Sequence, residues 1–542
     1  MKNLKEETEF FIKKIEYIIP VIITAILSFG FVITHYSVNG DTLSDVRYFQ
    51  DCEILAQGRY GGVLLEIIFG IMEYNPFFVD CLAVIFLIIA SITFCILFKN
   101  ISKNKINMVS YTIFSCLFIS YPLINEIFVF TPMSFGICFS FFIVAVVLNL
   151  LYSYRYDKKT RKLIYSSLLL CLVVSIYESS AIVCLLGIGI IEILDLIFNN
   201  TNKKVRETLE NAIIMAIPLL LSIIINGIIS KIIVEIYPIK EGINWAQKEI
   251  YYKELGIIGG LENLFITMFF SYGINGLFYL PITIMQISCG IMIVMAIMYG
   301  IRKKNITIFL LFVGSICSIF SLSILQGNAV MYRTCQVFQL FVAFAFMLIV
   351  QYVISTDKSK IVKYLFICIS FLIVFYQAKD LNKYFYLNYV RYEQEKTTLV
   401  SMAEKLINEY DVENKFVIFL SNYQTSNYIM ENAYIKTDTI RGQIADTITN
   451  MFFEGNTMYS REKEYANKPI ESNINSYLNW GVLAFRELNT EIFKWLDMLG
   501  YDNFKQGNIQ MIYEIIKQLD DKAIELQSNN IIEYEDYIVA IL

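Results

Sequence analysis

Residues 77–98 read FFVDCLAVIFLIIASITFCILF, and Lys99 follows at once. An α-helix rises 1.5 Å per residue and the hydrocarbon core of a bilayer is about 30 Å thick, so about 20 apolar residues cross it once. Runs of the same kind are predicted at residues 17–38, 107–124, 127–150, 163–177, 180–198, 211–236, 281–301, 306–326, 337–356 and 361–378, which makes about eleven spans. The stretch Leu261–Leu280, with Gly273, Asn275 and Gly276, reads as a broken or re-entrant segment. Composition agrees: the 542 residues are 56% hydrophobic and 17% charged, whereas a water-soluble globule runs near one-quarter charged. The apolar excess needs lipid to cover it.

Basic residues keep to the cytoplasmic side of a membrane protein. Lys13 and Lys14, the Lys99–Lys105 group, the Arg155–Lys162 group, Lys203 to Arg206, Arg302 to Lys304, and Lys358 to Lys363 occupy alternate connections. The N-terminus is therefore expected in the cytoplasm, with the loop around Asp41, the turn at Glu178 and the loop at Arg333 outside. The first span is expected to stay as an uncleaved anchor, being too long for a signal-peptide core and without a clear small-residue cleavage site. After Ala378 the chain turns polar and charged. A helix over Leu381–Tyr410 would bury Leu387, Val390, Leu399 and Leu406, and Lys415–Leu420 (KFVIFL) reads as a buried strand. Helices are expected over Ser476–Leu488 and Thr490–Leu499, with a closing strand at Tyr537–Leu542. The expected fold is an all-α polytopic membrane domain over residues 1–378, followed by a small α+β extracytoplasmic domain over 379–542.

Several chemistries are excluded early. His35 is the single histidine, which rules out Ser-His-Asp, Cys-His and multi-histidine metal sites. Nearly all of the 11 cysteines lie in apolar runs, none follows Cys368, and no CxxC pair occurs, so the tail is not disulfide-stapled. No GxxxxGK[ST] loop argues for an ATP-driven pump, and no basic tract or basic-aromatic stripe argues for nucleic acid. Acid-base work falls to carboxylates, Lys or Tyr.

The first outer loop, residues 39–62, reads NGDTLSDVRYFQDCEILAQGRYGG and holds Asp41, Asp45, Asp51, Arg47 and Arg59. Either these acids solvate an ordinary loop or they form a site. Val63–Tyr74 continues as an amphipathic segment with Glu66 and Glu73 on one face, suited to lie along the interface. Glu178, in the turn between two short spans, is either a water-exposed cap or a carboxylate in a polar cavity, and Glu126 in YPLINEIF has the same two readings. Arg333 in GNAVMYRTCQ is the only basic residue of its outer loop, placed either to anchor the interface or to grip a phosphate through its two-pronged guanidinium.

The arrangement resembles the GT-C superfamily of glycosyltransferases and, more narrowly, the bacterial serotype-converting O-antigen glucosyltransferases. The matching pieces are NGD at Asn39–Asp41, GRYGG at Gly58–Gly62, YESS at Tyr177–Ser180, YR at Tyr332–Arg333, and the segment Gln377–Arg391 that leads into KFVIFL. The resemblance implies transfer of a hexose, with glucose expected, from a polyprenyl-phosphate donor to a cell-surface glycan acceptor at the outer face of the cytoplasmic membrane. It makes Asp41 the general base, a role worth roughly 10²- to 10⁴-fold in rate, with Asp45 as the alternative or the orienting partner. Arg59 and Arg333 would hold the phosphate leaving group, while Tyr60, Glu126, Tyr177 and Glu178 would bind the sugar. It implies no nucleotide and no cofactor, and leaves open a divalent cation on the carboxylates. The rival classes are a lipid-linked sugar transporter or flippase, opposed by the large outer domain and the lack of detectable halves, and a glycan polymerase or ligase using the same donor chemistry.

Overall fold

Three of the apolar runs start behind an asparagine. In the computed structural model, which describes residues 4–38, 55, 58–71, 75–129, 131–199, 204–236, 250–274, 280–356, 359–420, 490–506 and 531–541, Asn75 Oδ1 accepts from Phe78 N at 3.2 Å. Asn107 and Asn305 accept from Val109 N and Thr307 N, each at 2.9 Å. Each amide side chain thus satisfies a backbone donor that the helix start leaves open. The helices in chain order are α1 (Leu4–Ile12), α2 (Ile15–Thr34), α3 (Tyr60–Phe69), α4 (Pro76–Ser102), α5 (Met108–Ile119), α6 (Asn125–Phe128), α7 (Thr131–Asp157), α8 (Thr160–Ile176), α9 (Ser180–Phe198), α10 (Val205–Ile236), α11 (Tyr251–Met268), α12 (Leu280–Lys303), α13 (Ile306–Ile319), α14 (Ser321–Gln326), α15 (Val337–Ser355), α16 (Lys360–Glu409) and α17 (Thr490–Met498).

Ten helical segments among the described residues are long and apolar enough to cross a membrane, against the eleven spans expected. The differences have local causes. The run 306–326 breaks at Phe320 (φ −101, ψ 8) into α13 and α14, so α13 keeps 14 residues, about 21 Å. The run 163–177 is the 17-residue α8, which ends where Tyr177 turns extended (φ −158, ψ 116). Tyr251–Gly273 counts among the ten. Its kink lies earlier than the expected break, at Gly256 (φ 71, ψ 176) of α11, and the helix then passes into a π-helical turn, Phe269–Ile274, that holds Gly273; Asn275 and Gly276 lie outside the described residues.

Packing separates a centre from a rim. Met108–Phe128 and α15 are buried over 89% and 83% of their apolar windows, against 28% for α10 and 22% for α16. Phe94, Phe98, Phe114, Phe118 and Phe344 interlock at ring-centroid distances of 4.9 to 6.3 Å in that centre. Gln351 ties α15 to the start of α5: its Oε1 accepts from Asn107 N at 2.8 Å and Ser110 Oγ at 3.1 Å, and its Nε2 donates to Lys105 O at 3.1 Å. The buried acids Glu192 and Asp195 on α9 are matched by Arg155 at 3.1 and 3.3 Å, which keeps charge away from lipid.

The chain divides into two compact units: of the described residues, 4–34 and 55–383 fall in the first, and 35–38, 384–420, 490–506 and 531–541 in the second. The second unit holds a four-stranded sheet of β1 (Phe416–Leu420), β2 (Lys505–Gln506), β3 (Ile531–Glu533) and β4 (Tyr537–Ile541). The order is β2-β1-β4-β3, with β1 parallel to β2 and β4 and with β3 antiparallel to β4. Val417, Ile418 and Phe419 are fully buried, as successive residues of a strand covered on both faces must be. The strands expected at Lys415–Leu420 and Tyr537–Leu542 are thus β1 and β4, and the helix expected at Thr490–Leu499 is α17. The last predicted span and the helix expected over Leu381–Tyr410 are a single 50-residue helix, α16. The helix expected over Ser476–Leu488 lies outside the described residues.

Candidate functional site

The GRYGG segment has a structural reason at nearly every position. Gly58 has φ +81, and a Cβ there would come 2.6 Å from Ser230 Oγ, so the turn into α3 requires glycine. Gly61 lies where α3 meets α8, and a Cβ would stand 2.2 Å from Ser175 Oγ and 3.0 Å from the Leu172 carbonyl. Gly62 faces open space. The helix that follows runs over Tyr60–Phe69 rather than Val63–Tyr74, because Gly70 (φ 65) closes it with Ile71 N bonded back to Glu66 O at 2.9 Å. Glu73 lies outside the described residues.

This packing aims Arg59, the residue before α3, at the end of α8. Its guanidinium carbon is 4.8 Å from the Tyr177 ring centroid, within cation–π range. Its Nε is 3.6 Å from the Glu178 carboxylate, whose side chain is 48% exposed. Tyr60 lies within 3.5 Å of the Cys171 thiol through its hydroxyl. The structure therefore brings Arg59, Tyr60, Tyr177 and Glu178 together across more than a hundred residues of chain.

A second group forms around Arg333. The 3-10 turn Tyr332–Thr334 touches α6, and Arg333 acts electrostatically on Glu126. Pro122 starts the short 3-10 turn, Pro122–Ile124, that ends the α5 run and sets α6 in place. Beneath Arg333 a cavity of about 10 Å³, space for one water-sized group, is lined by Tyr121, Tyr332, Gln336 and Gln339 among others. Burial pushes the Cys335 thiol beside it up to about 12, so that thiol stays protonated and is no nucleophile. The two groups are tied by a hydrogen bond from Ser180 Oγ to Gln336 Oε1 at 2.9 Å.

Asp41 and Asp45, together with Arg47 and Asp51, lie outside the described residues. Among the described residues no group of three or more His, Cys, Asp or Glu is placed to hold a metal ion. Sequence reasoning assigned no role to Gln336, nor to Ser180 beyond its place in YESS; the signal of both was a polar residue at the head of an apolar span. It also passed over Asp80, a 2% exposed acid inside α4 that accepts from Ser134 Oγ at 3.0 Å. An acid inside an apolar run is the signal that marks it.

A bundle of apolar helices with paired arginines and carboxylates at the turns, joined to a small mixed sheet, defines a polytopic membrane protein with a polar site at its helix ends. The family model described as "Glucosyl transferase GtrII" matches residues 29–350, more than half of the chain, and the chain belongs to that glucosyltransferase family. The match takes in NGD, GRYGG, Glu126, YESS and Arg333, and it ends before α16. No curated protein and no solved structure matches the chain.

Proposed function

We propose that this chain moves a hexose, glucose, from a polyprenyl-phosphate carrier to a hydroxyl of a cell-surface glycan on the outer face of the cytoplasmic membrane. The observation that carries the reading is the family match over 29–350, which spans every residue the chemistry needs. The clustering of Arg59 with Tyr177 and Glu178, and of Arg333 with Glu126, supports it. In this reading residues 1–378 form the membrane domain with its catalytic loop at 39–62, residues 379–542 form an extracytoplasmic domain, and the N-terminus is cytoplasmic.

Asp41 takes the proton of the acceptor hydroxyl while the acceptor oxygen bonds to the sugar's anomeric carbon. The bond from that carbon to the phosphate oxygen breaks through an oxocarbenium-like state, and its electron pair leaves with the phosphate. Arg59 and Arg333 stabilise the charge gathered there. Asp45 orients Asp41 or shares its task, and Tyr60, Glu126, Tyr177 and Glu178 hold sugar hydroxyls. The lipid tail of the donor stays in the bilayer.

The test is Asp41→Asn, assayed with polyprenyl-phosphate glucose and by the mass of the surface glycan. Transfer is expected to fall by roughly 10²-fold or more with the membrane level of the protein unchanged. A transporter with a central path would tolerate the change. Undiminished transfer, or a glycan of the same mass with and without the gene, sinks the proposal.

A further inference from the structure

Gln336 is 4% exposed and lines the cavity beneath Arg333. Its Oε1 accepts from Ser180 Oγ at 2.9 Å, whereas its Nε2 has no hydrogen-bond partner among the described residues. Neither tyrosine hydroxyl on the cavity accepts from it. Tyr121 donates its hydroxyl to Pro281 O at 2.9 Å and Tyr332 donates to Ser271 O at 3.0 Å. Gln339, the second amide on the cavity, donates its Nε2 to Phe118 O. A buried amide donor with no acceptor is costly, and native interiors rarely keep one. Such a group beside an arginine, on a space of about 10 Å³, is suited to an oxygen brought by a ligand.

We propose that Gln336 is a sugar-selecting residue, whose Nε2 donates a hydrogen bond to one hydroxyl of the hexose being transferred. The inference rests on the transferase reading above and adds the group that reads the sugar. The cavity admits a single hydroxyl and not a pyranose ring, so one position of the sugar is read. The tie to Ser180 gives the amide its orientation: with Oε1 held by that hydroxyl, the N–H₂ end is the one left for the ligand.

The experiment uses the full chain in detergent with polyprenyl-phosphate glucose and its four monodeoxy analogues at positions 2, 3, 4 and 6. Wild type is expected to lose about tenfold in kcat/KM on one analogue through the missing hydrogen bond. Gln336→Met should show that loss with glucose itself and no further loss with that analogue, while the other three analogues keep their ranking. If Gln336→Met lowers all five donors by the same factor, the residue is structural and the proposal is overturned. Should Gln336→Met fail to fold, Gln336→Glu keeps the acceptor for Ser180, removes the N–H₂, and is scored in the same way. Donor-induced thermal stabilisation gives a readout independent of transfer. If wild type binds the donor but transfers nothing, the transferase reading falls. The Gln336 assignment then stands only if stabilisation depends on one hydroxyl in wild type and not in the variant. An identical pattern in both, or no stabilisation at all, overturns it.

Discussion

Glu66 shows how the surroundings of one residue turn a common side chain into a titrating one. It lies on α3, which at ten residues and about 15 Å is too short to cross a bilayer. Burial there raises its carboxyl from the ordinary 4.5 to about 7. The folded chain then holds a proton that the unfolded chain releases between those values. Stability is therefore fully present below about 4.5 and is lost as pH rises through about 7. The thermal midpoint of the solubilised protein is expected to fall over that window, and Glu66→Gln should flatten the slope. An equal slope in both proteins would remove Glu66 from the account. Arg59 illustrates a different dependence on context: its planar cation lies over the Tyr177 ring, a contact that charge alone does not supply.

At the scale of elements, α3 works as a short pointer whose aim depends on how closely it approaches α8. Gly61 permits that approach, since a Cβ at this position would stand 3.0 Å from a backbone carbonyl that cannot swing away. Gly61→Ala is expected to push α3 outward, costing about 1–3 kcal/mol as overpacking does, and to carry Arg59 away from Tyr177 and Glu178. Gly62→Ala, at the next residue of the same motif, meets open space and should leave stability and transfer near wild type. Comparing the two by thermal denaturation and transfer rate checks the argument, and equal behaviour would refute it. The GRYGG motif was visible in sequence, but which of its glycines is required was not, because the answer lies in residues 175 and 230. The broken 306–326 run makes the same point from the other side. Its hydropathy is continuous, while the bend at Phe320 is a backbone event that hydropathy does not record.

For the whole molecule, α16 sets the scale. Its 50 residues exceed the roughly 20 that cross the hydrocarbon core once, so one helix carries both the last apolar run and the polar residues that follow it. In the proposed orientation, with the basic residues around Lys358 in the cytoplasm, the far end of α16 is expected outside. In an otherwise cysteine-free chain, Ser401→Cys on an exposed face of α16 is expected to react with a membrane-impermeant maleimide on intact cells, and Ser359→Cys only after permeabilisation. The reverse pattern would invert the topology and remove the outer-face reaction.

Composition and local pattern alone determined the class: apolar runs separated by charged loops, a polar tail, and the strands at Phe416–Leu420 and Tyr537–Ile541. They suffice because hydropathy and strand burial are sums over neighbouring residues, and the cost of exposing or burying each group is paid locally. The tertiary structure decided the rest: that β1 pairs in parallel with β4 across more than a hundred residues, and that Arg59 meets Tyr177 and Glu178. It also placed the unclaimed amide of Gln336 beside Arg333. Those contacts depend on how far each helix is rotated and how closely its glycines let it approach a neighbour, which is a property of packed pairs and not of any one segment.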